Sequence, residues 1–293
     1  MPRAHVNGID LEYESFGDRS KPPMLLIMGL GAQMILWDEP FCEQLAARGF
    51  HVTRFDNRDV GGSSWLEDAG TPDMGNLLAA MMTGAPLEAP YTLSDMAADA
   101  AALLDHLGAA SAHIVGASMG GMIAQTLAIE HPSRVRSLSS IMSTTGDPAL
   151  PQAKPEALAV LMMPPLPTRE SNLERALTVF RTIGSPGFPF DEQRILDFAG
   201  RSFDRGFHPD GVMRQIAAII ASGNRSSRLS EVKAPTVVIH GKDDPLVPYE
   251  CGVATANAIP GAKLVDIAGM GHDMPKDLWP TIIDAICEVA ARA

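Results

Sequence analysis

Gly116-Ala117-Ser118-Met119-Gly120 sets a serine among small residues, between an apolar run, Ala112-His113-Ile114-Val115, and a helical stretch that starts at Met119. A strand that turns sharply into a helix leaves the hydroxyl of such a serine exposed at the strand end, and small neighbours let the backbone bend. The helix N-terminus adds free N–H groups and a dipole that favour negative charge. A serine hydroxyl attacks only when a base takes its proton and a third group orients that base. His272, in Gly269-Met270-Gly271-His272, follows the strand-like run Lys263–Ile267 and is the candidate base. Asp243 and Asp244, in Gly241-Lys242-Asp243-Asp244-Pro245, follow the run Thr236–His240. Adjacent residues point in different directions, so one of the two reaches the histidine. Asp244, with the turn-favouring Pro245 behind it, is the preferred acid. Both positions lie past the C-terminal ends of strands, where open α/β sheets gather their sites.

The other seven histidines lack that setting. His131 precedes a proline, His106 lies in a helical pattern, and His51, His113 and His240 fall on or beside strands, where a structural role is expected. Asp273 adjoins His272 too closely to orient its ring and is expected to face solvent. Acyl transfer also needs donors for a developing oxyanion. The backbone N–H of Met119 follows the serine, and that of Leu30, in Met28-Gly29-Leu30-Gly31-Ala32, is the second nominee. Trp37, Met34, Met81, Met82, Met162 and Met163 are weighed between core and pocket. Trp37, Met162 and Met163 from this set, with Gly29 of the loop above, are taken as candidate substrate-pocket residues, because flexible thioethers suit an adaptable apolar site. No metal-ligand spacing of the His-x-His or His-Glu-x-x-His kind occurs, so the reading includes neither metal nor cofactor.

The elements that must hold these residues alternate. Leu11–Phe16, Met24–Met28, His51–Phe55, Ala112–Val115, Val135–Met142, Thr236–His240 and Lys263–Ile267 read as strands. Asp38–Arg48, Leu93–Leu107, Met119–Glu130 and Thr281–Ala290 read as helices. Leu93, Met96, Ala97, Ala100, Leu103, Leu104 and Leu107 recur on one helical face, closed by Gly108. This rhythm predicts an α/β fold with a mostly parallel central sheet flanked by helices. Between 144 and 229 it breaks. Prolines crowd positions 148, 151, 155, 164, 165 and 167, and helical patches follow at 173–182, 192–198 and 211–222. A segment this long is no plain loop. It reads as a helical cap inserted into a core of residues 1–143 and 230–293.

The 293 residues carry a formal charge of −12, which disfavours nucleic acid and anionic lipid as partners. Cys42, Cys251 and Cys287 are scattered and form no disulfide framework or zinc motif. The N-terminus has no apolar signal-peptide core, and no run approaches the roughly 18 apolar residues of a membrane span. A cytoplasmic protein acting on a small molecule is the expectation; oligomeric state is not legible.

With these residues in view, the chain resembles the α/β-hydrolase superfamily over nearly its full length. Phe55-Asp56-Asn57-Arg58-Asp59-Val60-Gly61-Gly62-Ser63-Ser64 is similar to the family's Asp-x-Arg-Gly-x-Gly-x-Ser turn, with Asp59 where glycine is usual. Gly241-Lys242-Asp243-Asp244 resembles its acid turn and favours Asp244, and Gly269–His272 resembles its histidine loop. Met28 stands where the oxyanion motif commonly has histidine, with Gly29 kept. Met28-Gly29, Trp37, Asn57-Arg58-Asp59, Gly120 and Gly-Met-Gly-His together resemble carboxylesterases of the aclacinomycin methylesterase type. The resemblance implies a carboxylic ester hydrolase with Ser118, His272 and Asp244 as a triad. Lactonases of the acyl-homoserine-lactone type and cofactor-free perhydrolases or haloperoxidase-like enzymes share that machinery and stay open, as does a ligand receptor on the same scaffold. Haloalkane dehalogenation would need a carboxylate at 118.

Overall fold

A computed structural model of the chain describes residues 1–163 and 167–293, without the side chains at 78, 81 and 82. Pro164 and Pro165, and the side chains of Met81 and Met82, thus lie outside the described residues. The strands are β1 (Arg3–Val6), β2 (Ile9–Phe16), β3 (Pro23–Ile27), β4 (His51–Phe55), β5 (Ala112–Ala117), β6 (Val135–Ile141), β7 (Thr236–Gly241) and β8 (Lys263–Ile267). They form one sheet in the order β1-β2-β4-β3-β5-β6-β7-β8. β2 runs antiparallel to β1 and β4, and every other neighbouring pair is parallel.

The helices are α1 (Glu39–Ala47), α2 (Met74–Thr83), α3 (Leu93–His106), α4 (Met119–Glu130), α5 (Pro155–Leu161), α6 (Arg169–Ile183), α7 (Glu192–Arg205), α8 (Pro209–Ser222), α9 (Ser226–Leu229), α10 (Tyr249–Ala258) and α11 (Trp279–Ala290). The central strands are apolar on both sides, so alternate residues feed two separate cores. Leu25, Ile27 and Ile114 pack beneath Leu93, Met96, Leu103 and Ile123 of α3 and α4. Met24, Leu26, Val115 and Ile239 pack on the opposite face against Phe41 and Leu45 of α1 and Ile282 and Ile286 of α11. The predicted apolar face of α3 is buried from Leu93 to Leu104, and Thr92 and Asp95 form a reciprocal capping box at its start.

Between β6 and β7 the described residues contain helices only, α5 to α9. The patches expected at 173–182 and 192–198 are the middle of α6 and the first half of α7. α5 was not expected, because prolines dominate its surroundings. Pro155 occupies its first turn, where a missing N–H costs nothing. β1, α2 and α10 were also not anticipated.

The register places the site. Ile27 of β3 pairs with Gly116 of β5, and Ala117 pairs with Ile141 of β6. The segments leaving β3, β5, β7 and β8 therefore emerge at the same edge of the sheet.

Candidate active site

Ser118 stands between β5 and α4 with φ 57° and ψ −121°, a conformation L-residues seldom adopt. Three glycines make the turn possible by allowing close backbone approach. A Cβ on Gly116 would sit 2.1 Å from the Gly120 carbonyl oxygen, and one on Gly120 would sit 2.0 Å from that of Ile27. One on Gly121 would meet the Ser143 side chain at 2.6 Å. The Ser118 N–H donates to the Ile141 carbonyl at 2.9 Å, and the Ser143 hydroxyl donates to the Ser118 carbonyl at 2.8 Å. Its own hydroxyl caps no backbone N–H.

That hydroxyl lies 3.0 Å from His272 Nε2, and His272 Nδ1 lies 2.7 Å from Asp244 Oδ2. An ionised carboxylate only accepts, so Nδ1 carries the proton and Nε2 is free to take one from serine. The other oxygen of Asp244 accepts the N–H groups of Leu246 and Val247, both at 2.9 Å. His272 and Asp244 are buried, at 8% and 5% exposure, while Ser118 is only partly covered. Asp243 turns outward and accepts the Gly269 N–H at 2.7 Å, tying the acid loop to the histidine loop.

The histidine loop is held from the other side by the turn after α6. The His272 N–H donates to the Ile183 carbonyl at 2.7 Å, Gly271 N–H to the Ser185 hydroxyl oxygen at 2.9 Å, and Gly187 N–H to the Gly269 carbonyl at 2.9 Å. Ser185 in turn donates to Asp273. Asp273 is thus half-buried rather than solvent-facing as the sequence had suggested, and burial pushes its carboxyl above the usual range. Only the tethering of this loop to a segment 88 residues away shows why.

Gly29 packs on the serine, since a Cβ there would come 3.1 Å from Ser118 Cβ and 3.5 Å from its Oγ. Neither the Leu30 N–H nor the Met119 N–H meets an acceptor among the described residues. Leu30 packs against an apolar cluster built from Leu77, Met162, Val212, Met213 and Ile216. Trp37 lies elsewhere: it is fully buried in the α1–α11 core, stacked on Phe41 at 5.6 Å, and is a core residue rather than a pocket residue. Met163 is 37% exposed and stands outside that cluster. His240 proves nearer the chemistry than its strand position suggested, 3.7 Å from Asp244.

Asp59 has φ 72°, which explains why a glycine is usual there; aspartate tolerates the left-handed region better than most residues. Its buried carboxylate takes a bidentate pair from Arg214 of α8 at 2.7 and 2.9 Å and a hydrogen bond from the Tyr91 hydroxyl at 2.7 Å. Sequence reasoning missed Arg214, since nothing near it in the chain identifies its partner.

Strand order, helical layers and a serine on a strand-to-helix turn define an α/β hydrolase. The alpha/beta hydrolase fold family matches residues 22–277, and the chain belongs to it. Rhodomycin D methylesterase DnrP of Streptomyces peucetius is 30% identical over 302 residues, covering 95% of this chain and 94% of that protein. Putative carbamate hydrolase RutD of Azorhizobium caulinodans is 28% identical, covering 93% and 91%. Among solved structures, the enol-lactonase from Burkholderia xenovorans LB400 superposes with a TM-score of 0.75 at 23% identity, covering 99% of this chain and 100% of that one. No helix of the described residues is long and apolar enough to cross a membrane.

Proposed function

We propose that the chain is a carboxylic ester hydrolase in which Ser118 is the nucleophile, His272 the general base and acid, and Asp244 the group that orients it. The observation that carries this reading is the unbroken relay of 3.0 and 2.7 Å contacts from hydroxyl to imidazole to carboxylate. Ser118 Oγ attacks the acyl carbon as its proton passes to His272 Nε2. The Leu30 and Met119 N–H groups bind the oxyanion, and the alcohol leaves with the proton from Nε2. A water molecule, deprotonated by Nε2, then releases the acid and restores the serine.

Substrates are small neutral esters with an apolar acyl or alcohol group, in keeping with the apolar wall of Met162, Val212, Met213 and Ile216 against Leu30. The likeness to a rhodomycin D methylesterase points to methyl esters within this class. Residues 144–229 act as a cap over the serine. Free, unpaired Cys42, Cys251 and Cys287 suit a reducing compartment such as the cytoplasm.

The test is hydrolysis of a C2–C12 chromogenic ester series beside lactones and a polycyclic methyl ester. Wild-type turnover with a burst of alcohol is expected, and Ser118→Ala should lower kcat by about 10⁴-fold or more. Wild-type turnover by that variant would overturn the assignment.

A further inference from the structure

Backbone groups around the proposed oxyanion donor are accounted for by two buried side chains from distant parts of the chain. The Asn57 amide donates to the Met28 carbonyl at 2.9 Å, fixing the start of the loop. Gln215, fully buried on α8, accepts the Gly31 N–H on Oε1 at 2.8 Å and donates through Nε2 to the Arg58 carbonyl at 2.9 Å. Gly31 has φ 64°, and a Cβ there would come 3.0 Å from Val212, also on α8. Within the loop the Ala32 N–H returns to the Gly29 carbonyl. From Leu30 to Ala32, the N–H groups of Gly31 and Ala32 are therefore engaged, and that of Leu30 is left open.

We infer that Gln215 is a positioning residue for oxyanion stabilisation. Its amide holds the Leu30–Gly31 peptide, and through it the adjoining Gly29–Leu30 peptide, which packs on Ser118 and carries the Leu30 N–H. The inference rests on the serine-hydrolase reading above. A glutamine suits the task because one neutral group both accepts and donates, satisfying two buried backbone groups at once. The neighbouring Arg214–Asp59 pair fixes α8 against the same core edge, so the amide arrives without freedom to swing.

The test replaces the amide by a group of similar shape, Gln215→Met, and compares an ester with its thiono analogue, whose sulfur fits an oxyanion site poorly. The expected result is a kcat at least tenfold lower, KM within about twofold, and a ratio of oxo-ester to thiono-ester kcat/KM reduced about tenfold. Affinity for a trifluoromethyl ketone should fall by the same factor as kcat/KM. A loss of folded protein alone would lower the active fraction and leave the ratio untouched. If Gln215→Met does not fold, Gln215→Leu, which likewise offers no acceptor to the Gly31 N–H, serves, and the same ratio must fall. An unchanged ratio in the variant that folds overturns the inference. Ser118→Ala in the same assay separates the two readings: a dead serine variant beside an unchanged ratio sinks only the role of Gln215.

Discussion

His113 and His240 both stand on strands and both are shut away from water. His240 donates its Nε2 proton to the Val247 carbonyl at 2.8 Å, leaving Nδ1 without a partner among the described residues. Burial holds its pKa below the ordinary value, so it sits beside Asp244 as a neutral ring and does not compete with His272 for the carboxylate. His113 contacts the Ser137 hydroxyl at 2.8 Å, and burial lowers its pKa from 6.5 to about 4. The unfolded chain binds a proton at this histidine before the folded one does. Stability is therefore complete above pH 6.5 and is lost as pH falls toward 4, by up to about 3 kcal/mol. Thermal melts of His113→Gln, compared with the parent between pH 7 and 4, should show a shallower decline for the variant. Parallel curves would refute the account.

Gly120 shows how an element is tuned to its neighbours. Its missing Cβ admits the Ile27 carbonyl at the crossing of α4 and β3, the strand that leads into the proposed oxyanion loop. Gly120→Ala should destabilise the fold by about 3 kcal/mol or more, because backbone is the obstacle and cannot step aside as a side chain would. Chemical denaturation measures the loss, and residual ester turnover should fall with it. At this scale much was legible beforehand. Ser118, Asp244 and His272 each follow a strand and sit among small or turn-forming residues, so local pattern was enough to nominate the three side chains that the fold brings into contact. α10 was missed because Gly252 and the alternation of Ala254, Ala256 and Ala258 with Thr255 and Asn257 blur its apolar face, and α5 because proline at a first helical turn looks like a breaker. Gln215 and Arg214 were illegible for a different reason. Their partners Gly31 and Asp59 lie 184 and 155 residues away, and only the folded chain pairs them.

Across the whole molecule, the helices between β6 and β7 are bonded to the sheet's edge by ion pairs as well as apolar contact. Arg194 reaches Asp38 at 2.6 Å, Arg205 reaches Asp56 at 2.7 Å, and Arg214 grips Asp59. Arg214→Met strands a buried carboxylate and should cost about 3–5 kcal/mol. Asp59→Gly combined with it removes the stranded charge and suits the left-handed backbone, so the double variant should recover much of that loss. A double-mutant cycle by calorimetry checks this; additive losses would refute it. The turn from Ile183 to Gly187 has a consequence for any exchange of this segment. Because it supplies the acceptors and the serine that hold the loop of His272, the proposed base is seated partly by the helical segment between β6 and β7, not by the sheet alone. A foreign helical segment grafted alone would arrive without the seat for the imidazole, so that turn and residues 269–273 should be exchanged together when the segment is replaced.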